Sequence, residues 1–130
     1  MTVYLDTSAL LKIVAPEVES DALLVYLADH PEQATSIVAH IELRRAARRR
    51  PGVDPRRVDE VVDRPVTIVL TTDLVGAAAA IDPASLRTLD AIHLASAGLL
   101  GSGLEAIVTY DRRLADAARA LGLPVASPGA

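Results

Sequence analysis

Two short segments decide the fold: Val3-Tyr4-Leu5-Asp6 near the start of the chain and Val108-Thr109-Tyr110-Asp111 near its end. Each runs a β-prone apolar stretch directly into a carboxylate and is followed by residues with helical spacing. Thr7 to Val14 forms the first of those helices, and Asp111 caps the second, which runs to Leu121. A strand feeding a helix in this way is half of a βαβ unit, and such units build a parallel sheet covered on both faces. In these sheets functional groups gather at the carboxyl ends of the strands, so Asp6 and Asp111 are expected to face one crevice.

Between the two segments strands and helices alternate. Glu17 to Asp29 carries Ala22, Leu23, Tyr26 and Leu27 at helical intervals. Thr35 to Val38 reads as a short strand, although Ser36 serves equally as the cap of the helix that continues through Ile41, Glu42 and Leu43 into a run of arginines. Asp54 followed by Pro55 marks a cap and first helical position for a helix to Val62. Val66 to Leu70 is a β-branched run expected to be a buried strand, with Asp73 capping the helix through Ala80. Thr88 to Leu100 is a long apolar helix, Ala106 to Tyr110 a strand, and Val125 belongs to a last short one. No repeat or low-complexity linker interrupts the order, and 130 residues suit one domain, 1–130.

Composition narrows the function. Hydrophobic residues make up 51% and mean hydropathy is +0.31, too apolar for a disordered chain, while 23% charged residues are too many for a membrane protein. No Phe, no Trp and only three Tyr argue against an aromatic platform for stacking bases. The absence of cysteine removes disulfides, thiolate metal sites and cysteine nucleophiles. Met1 to Asp6 lacks a basic leader region, and apolar runs such as Leu74 to Ile81 fall far short of the roughly 18 residues that span a bilayer, so a cytoplasmic protein with no membrane contact is expected. The formal charge of −4 hides an asymmetry: Arg44 to Arg57 holds seven arginines against Asp54 alone, a segment of +6, which leaves −10 for the rest.

Two further acids sit in apolar surroundings: Glu42 after Ala39, His40 and Ile41, and Asp90 within Thr88-Leu89-Asp90-Ala91-Ile92-His93-Leu94-Ala95. A dry, unpaired carboxylate costs several kcal/mol, so each needs a partner. Plain structural roles are open to all four acids. Asp6 and Asp111 suit helix caps, Glu42 can pair with Arg45 at i+3, and Asp90 lies in a first turn where the macrodipole favours negative charge. As a set, four carboxylates without cysteine or a histidine cluster favour a hard cation, Mg²⁺ or Mn²⁺, over zinc. The other 13 acids balance the 13 bases, so a bound cation would relieve the field that otherwise repels a phosphodiester. It could also activate water for in-line attack.

Four motifs in order, Leu5-Asp6-Thr7-Ser8-Ala9-Leu10-Leu11-Lys12, Glu42 on a helix, Leu89-Asp90-Ala91-Ile92-His93-Leu94-Ala95 and Val108-Thr109-Tyr110-Asp111-Arg112-Arg113-Leu114, resemble the PIN-domain ribonucleases, and more narrowly the VapC toxins of bacterial toxin–antitoxin pairs. The likeness extends through Ala118-Arg119-Ala120-Leu121-Gly122-Leu123-Pro124-Val125 and so over essentially the whole chain. It implies an α/β fold, a three-layer α/β/α sandwich with a central parallel sheet of four to five strands. It further implies hydrolysis of single-stranded or loop RNA, with tRNA or rRNA as substrate, by water on Mg²⁺ or Mn²⁺ held by Asp6, Glu42, Asp90 and Asp111. In that scheme Asp6 and Asp90 are the principal direct ligands, Glu42 and Asp111 ligate directly or through water, and Ser8 and Thr109 orient them. A homodimer and a cognate antitoxin complete the expectation, with Val18 to Leu27 and Val38 to Ala47 supplying the surfaces.

Arg45 and Arg49 fall at i+3 and i+7 from Glu42 and are candidates to guide RNA phosphates, while the other arginines of the cluster read as solvated. His93, one turn after Asp90, suits a core or rim position better than a substrate contact. His40 forms no zinc-binding pair with its neighbours, and Asp116 between Arg112 and Arg119 reads as a charged surface. Two other classes compete: Mg²⁺-dependent phosphoryl-transfer domains, which rely on a later lysine where this chain has only Lys12, and a module that binds RNA or protein without cleaving it.

Overall fold

The computed structural model describes residues 1–130. The strands are β1 (Thr2–Leu5), β2 (Gln33–Ser36), β3 (Val66–Ile68), β4 (Leu104–Val108) and β5 (Val125–Ala126). The helices are α1 (Thr7–Val14), α2 (Ser20–Ala28), α3 (Ile37–Ala47), α4 (Pro55–Asp63), α5 (Thr72–Ala79), α6 (Thr88–Gly98) and α7 (Arg112–Ala120). All strand pairs are parallel and the sheet order is β3-β2-β1-β4-β5, so the expected three-layer architecture holds with five strands. From β1 the chain builds outward through β2 and β3, then crosses back to place β4 on the other side of β1. The switch point of the sheet therefore lies between β1 and β4, where a crevice opens beyond the strand ends.

Strand alternation assigns the two cores. Val3 and Leu5 point into a cluster with Leu10, Leu23, Leu43 and Val62, under α1 to α4. Tyr4 points the other way, against Leu94, Ile107 and Leu114 under α6 and α7. A third cluster, Val38, Leu74, Ala78 and Ile92, joins α3 to α5 and α6. With no Phe or Trp available, aliphatic side chains fill all three.

Several boundaries differ from the sequence expectations, each for a local reason. The helix expected from Glu17 begins at Ser20, whose hydroxyl accepts from Glu17 N and donates to Lys12 O, tying the preceding turn to α1. The strand expected at Thr35 to Val38 is Gln33–Ser36, and Ser36 both ends it and caps α3 by accepting from Val38 N. Val66 to Leu70 yields only three strand residues, and Val66 is 71% exposed because β3 is the sheet edge rather than a buried strand. Thr71, not Asp73, caps α5, accepting from Leu74 N at 3.2 Å. The apolar helix from Thr88 stops at Gly98, short of Leu100. Most consequentially, β4 ends at Val108 instead of Tyr110, and Thr109 turns its hydroxyl to Asp6.

Candidate active site

Parallel register places Leu5 opposite Val108, so the next residues on each strand, Asp6 and Thr109, meet at the switch point. Asp6 is 3% exposed, with hydrogen bonds at both carboxylate oxygens. Its Oδ1 accepts from Ser8 Oγ at 2.7 Å and from Ala9 N at 2.9 Å, and its Oδ2 accepts from Thr109 Oγ1. It caps α1 while Ser8 and Thr109 fix its orientation. Burial pushes the Asp6 carboxyl above its ordinary range, more than the Ser8 and Thr109 hydrogen bonds, the His93 imidazole and the Ala9 amide draw it back.

Glu42 comes from the first half of α3, and no ion pair links it to Arg45. Its Oε1 accepts from Thr7 Oγ1 at 2.7 Å and from His93 Nε2 at 2.7 Å. Burial raises its carboxyl, but the hydrogen bonds from His93 and Thr7 outweigh that effect and hold it below the ordinary range. Consecutive residues thus serve different acids: Thr7 turns to Glu42 and Ser8 to Asp6.

Asp90 lies half-buried in the first turn of α6. Burial first, and the negative charge of Asp111 second, push its carboxyl up, against the influence of the His93 imidazole and the charges of Arg113 and Arg87. Asp111 is exposed and caps α7 through Oδ1, which accepts from Arg113 N and Leu114 N. It borders a cleft of about 360 Å³ lined by Thr109, Arg112, Asp116 and Arg119 among others. His93 is the electrostatic neighbour common to Asp6, Glu42 and Asp90, and Asp111 joins the group through Asp90.

The remaining candidates separate. Arg45 and Arg49 are exposed with no acid at ion-pair distance, whereas Arg44 is bound to Asp59 at 2.9 Å, Arg50 to Glu17 and Arg57 to Glu60. Asp116 is exposed and pairs with Arg119 at 3.7 Å. His40 is engaged by Thr67 Oγ1 at 2.9 Å. Lys12 is buried, held by Glu19 at 2.9 Å and Glu17 at 3.2 Å with its ammonium over the Tyr110 ring, so the one lysine a phosphotransfer mechanism would need is already engaged. Sequence reading passed over Thr7, Tyr4, Arg87 and Arg113, and placed His93 in the core without its bond to Glu42. The one available signal was a histidine one turn from Asp90 inside an otherwise apolar helix.

The donor set is all carboxylate oxygen, the preference of Mg²⁺ and Mn²⁺. No three His, Asp or Glu side chains form a ready-made cage. Like-charged Asp90 and Asp111, and a buried Asp6 held above its ordinary range, are groups that a divalent cation would stabilise in their ionised form.

A profile of the PIN domain matches residues 3–120, and the chain belongs to that family. Within it, the chain is 45% identical over 134 residues to ribonuclease VapC35 of Mycobacterium tuberculosis, covering 98% of this chain and 97% of that one. It is 41% identical over 134 residues to ribonuclease VapC47 of the same species, with 98% of each covered, which places it among the VapC ribonucleases. Among solved structures, Mycobacterium tuberculosis VapC20, a sarcin-ricin loop cleaving toxin, superposes with a TM-score of 0.71 at 19% identity, covering 97% of this chain and 99% of that one. VapBC2 from Rickettsia felis, bound to a DNA fragment from its promoter, gives a TM-score of 0.71 at 14% identity over 97% and 98% of the two chains. PIN-domain ribonucleases generally depend on divalent metal. No helix of the chain is long and apolar enough to cross a membrane.

Proposed function

We propose that this chain is a Mg²⁺-dependent endoribonuclease, with Mn²⁺ able to substitute, acting as the cytoplasmic toxin of a type II toxin–antitoxin pair. The observation that carries the reading is the placement of Asp6 and Asp111 just beyond the carboxyl ends of the adjacent strands β1 and β4, with Glu42 hydrogen-bonded to the buried His93 one turn after Asp90 on α6. Asp6 and Asp90 are the principal ligands, and Glu42 and Asp111 complete the acidic rim. When bound there, the cation lowers the pKa of water and offsets charge on the scissile phosphate. The protein's own contribution is positional: Ser8, Thr109 and the Ala9 amide hold Asp6, while Thr7 and His93 hold Glu42.

RNA reaches the crevice from the side of α3, where Arg45 and Arg49 are free to take phosphates. The substrate is a structured or single-stranded RNA loop, in keeping with the loop-cleaving activity named for VapC20. A cognate antitoxin and a second copy of the chain are the protein partners. Exposed Leu24 and Val25 on α2 and Ile41 on α3 offer apolar surface for them. The test is incubation of purified chain with labelled RNA in Mg²⁺, Mn²⁺ or EDTA, alongside thermal melts in the same ions. Cleavage that needs the ion, with a melting temperature raised by Mn²⁺ in the wild type but not in Asp6→Asn, is the expected result. Equal cleavage in EDTA, or an equal Mn²⁺ shift in both proteins, would overturn the reading.

A further inference from the structure

Four polar side chains form one chain of hydrogen bonds through the interior. Tyr4 Oη lies 2.6 Å from His93 Nδ1, His93 Nε2 lies 2.7 Å from Glu42 Oε1, and Thr7 Oγ1 donates to the same Oε1 at 2.7 Å. Tyr4 is fully buried in the central strand β1 and His93 is 3% exposed on α6, so both ends of the imidazole are fixed by packing as well as by hydrogen bonds. A carboxylate only accepts, so Nε2 carries the proton that faces Glu42. The Tyr4 hydroxyl holds Nδ1, so both ring nitrogens are engaged. An apolar pair at positions 4 and 93 would fill the same space without desolvating a phenol and an imidazole, so packing alone does not account for them.

The consequence falls on Glu42. Oε1 takes both hydrogen bonds, and Oε2 accepts none from the protein. A glutamate on an exposed helix face would sample many rotamers, and this one is held by two donors at a single oxygen. Asp90 sits one turn before His93 on α6, so the helix that carries one acid also orients another that arrives from α3.

We propose that His93, locked by Tyr4, is a positioning residue that clamps Glu42 through Oε1 and presents Oε2 to the divalent cation. The proposal rests on Glu42 belonging to the cation site as argued above. It does not require His93 to touch RNA. The role follows the pattern in which a second layer of hydrogen bonds fixes a ligand, and loss of such a partner typically costs 10- to 100-fold in metal affinity or activity.

The test compares His93→Leu, His93→Gln, Tyr4→Phe and Glu42→Gln in the full chain. Mn²⁺ affinity is measured by electron paramagnetic resonance without RNA, kcat and KM on RNA, and folding by circular dichroism. His93→Leu removes the donor at similar volume and is expected to weaken Mn²⁺ by about tenfold or more and to lower kcat with KM for RNA unchanged. His93→Gln keeps an N–H at the position of Nε2 and should recover most of that loss. If His93→Leu does not fold, Tyr4→Phe decides, because it removes only the phenolic oxygen and should still weaken Mn²⁺ several-fold. Wild-type Mn²⁺ affinity in folded His93→Leu or Tyr4→Phe, with Glu42→Gln impaired, would overturn the positioning role alone. Wild-type affinity in Glu42→Gln would overturn the assignment of Glu42 to the site and the proposal with it. An equal loss in His93→Gln and His93→Leu would also sink it, since the N–H would then not matter.

Discussion

Two arginines on one helix, Arg44 and Arg45, are neighbours in sequence and differ in their partners. Arg44 spends its guanidinium on Asp59 of α4 and on the His40 carbonyl, while Arg45 and Arg49 have no acidic partner. Alanine at both Arg45 and Arg49 should weaken RNA binding at every salt concentration. It should also reduce the slope of log affinity against log salt by about 1 to 1.5, near 0.7 per phosphate contact on a single strand. Arg44→Ala should leave that slope alone and lower stability instead, and filter-binding salt titrations beside thermal melts separate the two. At this scale the acids were the legible part of the proposed site. Asp6 and Asp111 declared themselves by following β-prone runs, and Asp90 and Glu42 by standing in apolar company. Thr7 and Tyr4 were illegible, because a hydroxyl beside a strand end shows no preference for one acid over another until α3 and α6 have packed.

Two of those acids, Asp6 and Asp111, also cap helices, so a variant has to separate capping from the proposed catalytic role. Asp111 caps α7 through one oxygen while its charge bears on Asp90. Asparagine caps about as well as aspartate, whereas alanine loses roughly 1 kcal/mol of helix stability. Asp111→Asn is therefore expected to melt at or above the wild-type temperature with reduced cleavage, and Asp111→Ala to melt lower as well. Equal cleavage by Asp111→Asn and wild type would leave the residue a cap only. Helix starts at Thr7, Pro55 and Arg112 were readable from their caps, since Asp6, Asp54 and Asp111 each precede the first helical residue. The end of β1 at Leu5 was readable, but the end of β4 was not. Thr109 and Tyr110 have good β propensity, and only the turn that brings Thr109 to Asp6 excludes them from β4.

At the scale of the molecule, one buried cation ties the amino-terminal helices together. Lys12 on α1 is bound by Glu17 and Glu19 at the entry to α2. The hydrogen bond from Lys12, ahead of the backbone and charge contributions, holds Glu19 below its ordinary range. For Lys12, burial opposes the ammonium, but Glu19 and Glu17 outweigh it and raise its pKa. A depressed carboxyl contributes stability that is complete above its ordinary pKa of 4.5 and is lost as pH falls through the lower folded value. A raised lysine contributes fully below its ordinary 10.5 and loses that only at still higher pH. Denaturation midpoints should therefore hardly vary from this pair between pH 6 and 9 and should fall below about pH 4.5, less steeply in Glu19→Gln. A wild-type acid limb in Glu19→Gln would assign acid sensitivity to other groups.

The parallel three-layer plan was visible in the alternation of elements, but the sheet order was not, because no local pattern says that the crossover to β4 returns beside β1. That crossover brings Asp6 and Thr109 into contact, and cleavage of RNA by the acids it assembles is the central claim. The most direct measurement is to induce the chain and its Asp6→Asn variant at equal soluble levels in bacterial cells and map new RNA 5′ ends across the transcriptome. Asparagine keeps the size and the α1 cap while removing the charge. Discrete new ends with the wild type and none with Asp6→Asn are the predicted result. The same discrete ends from both proteins would contradict the account.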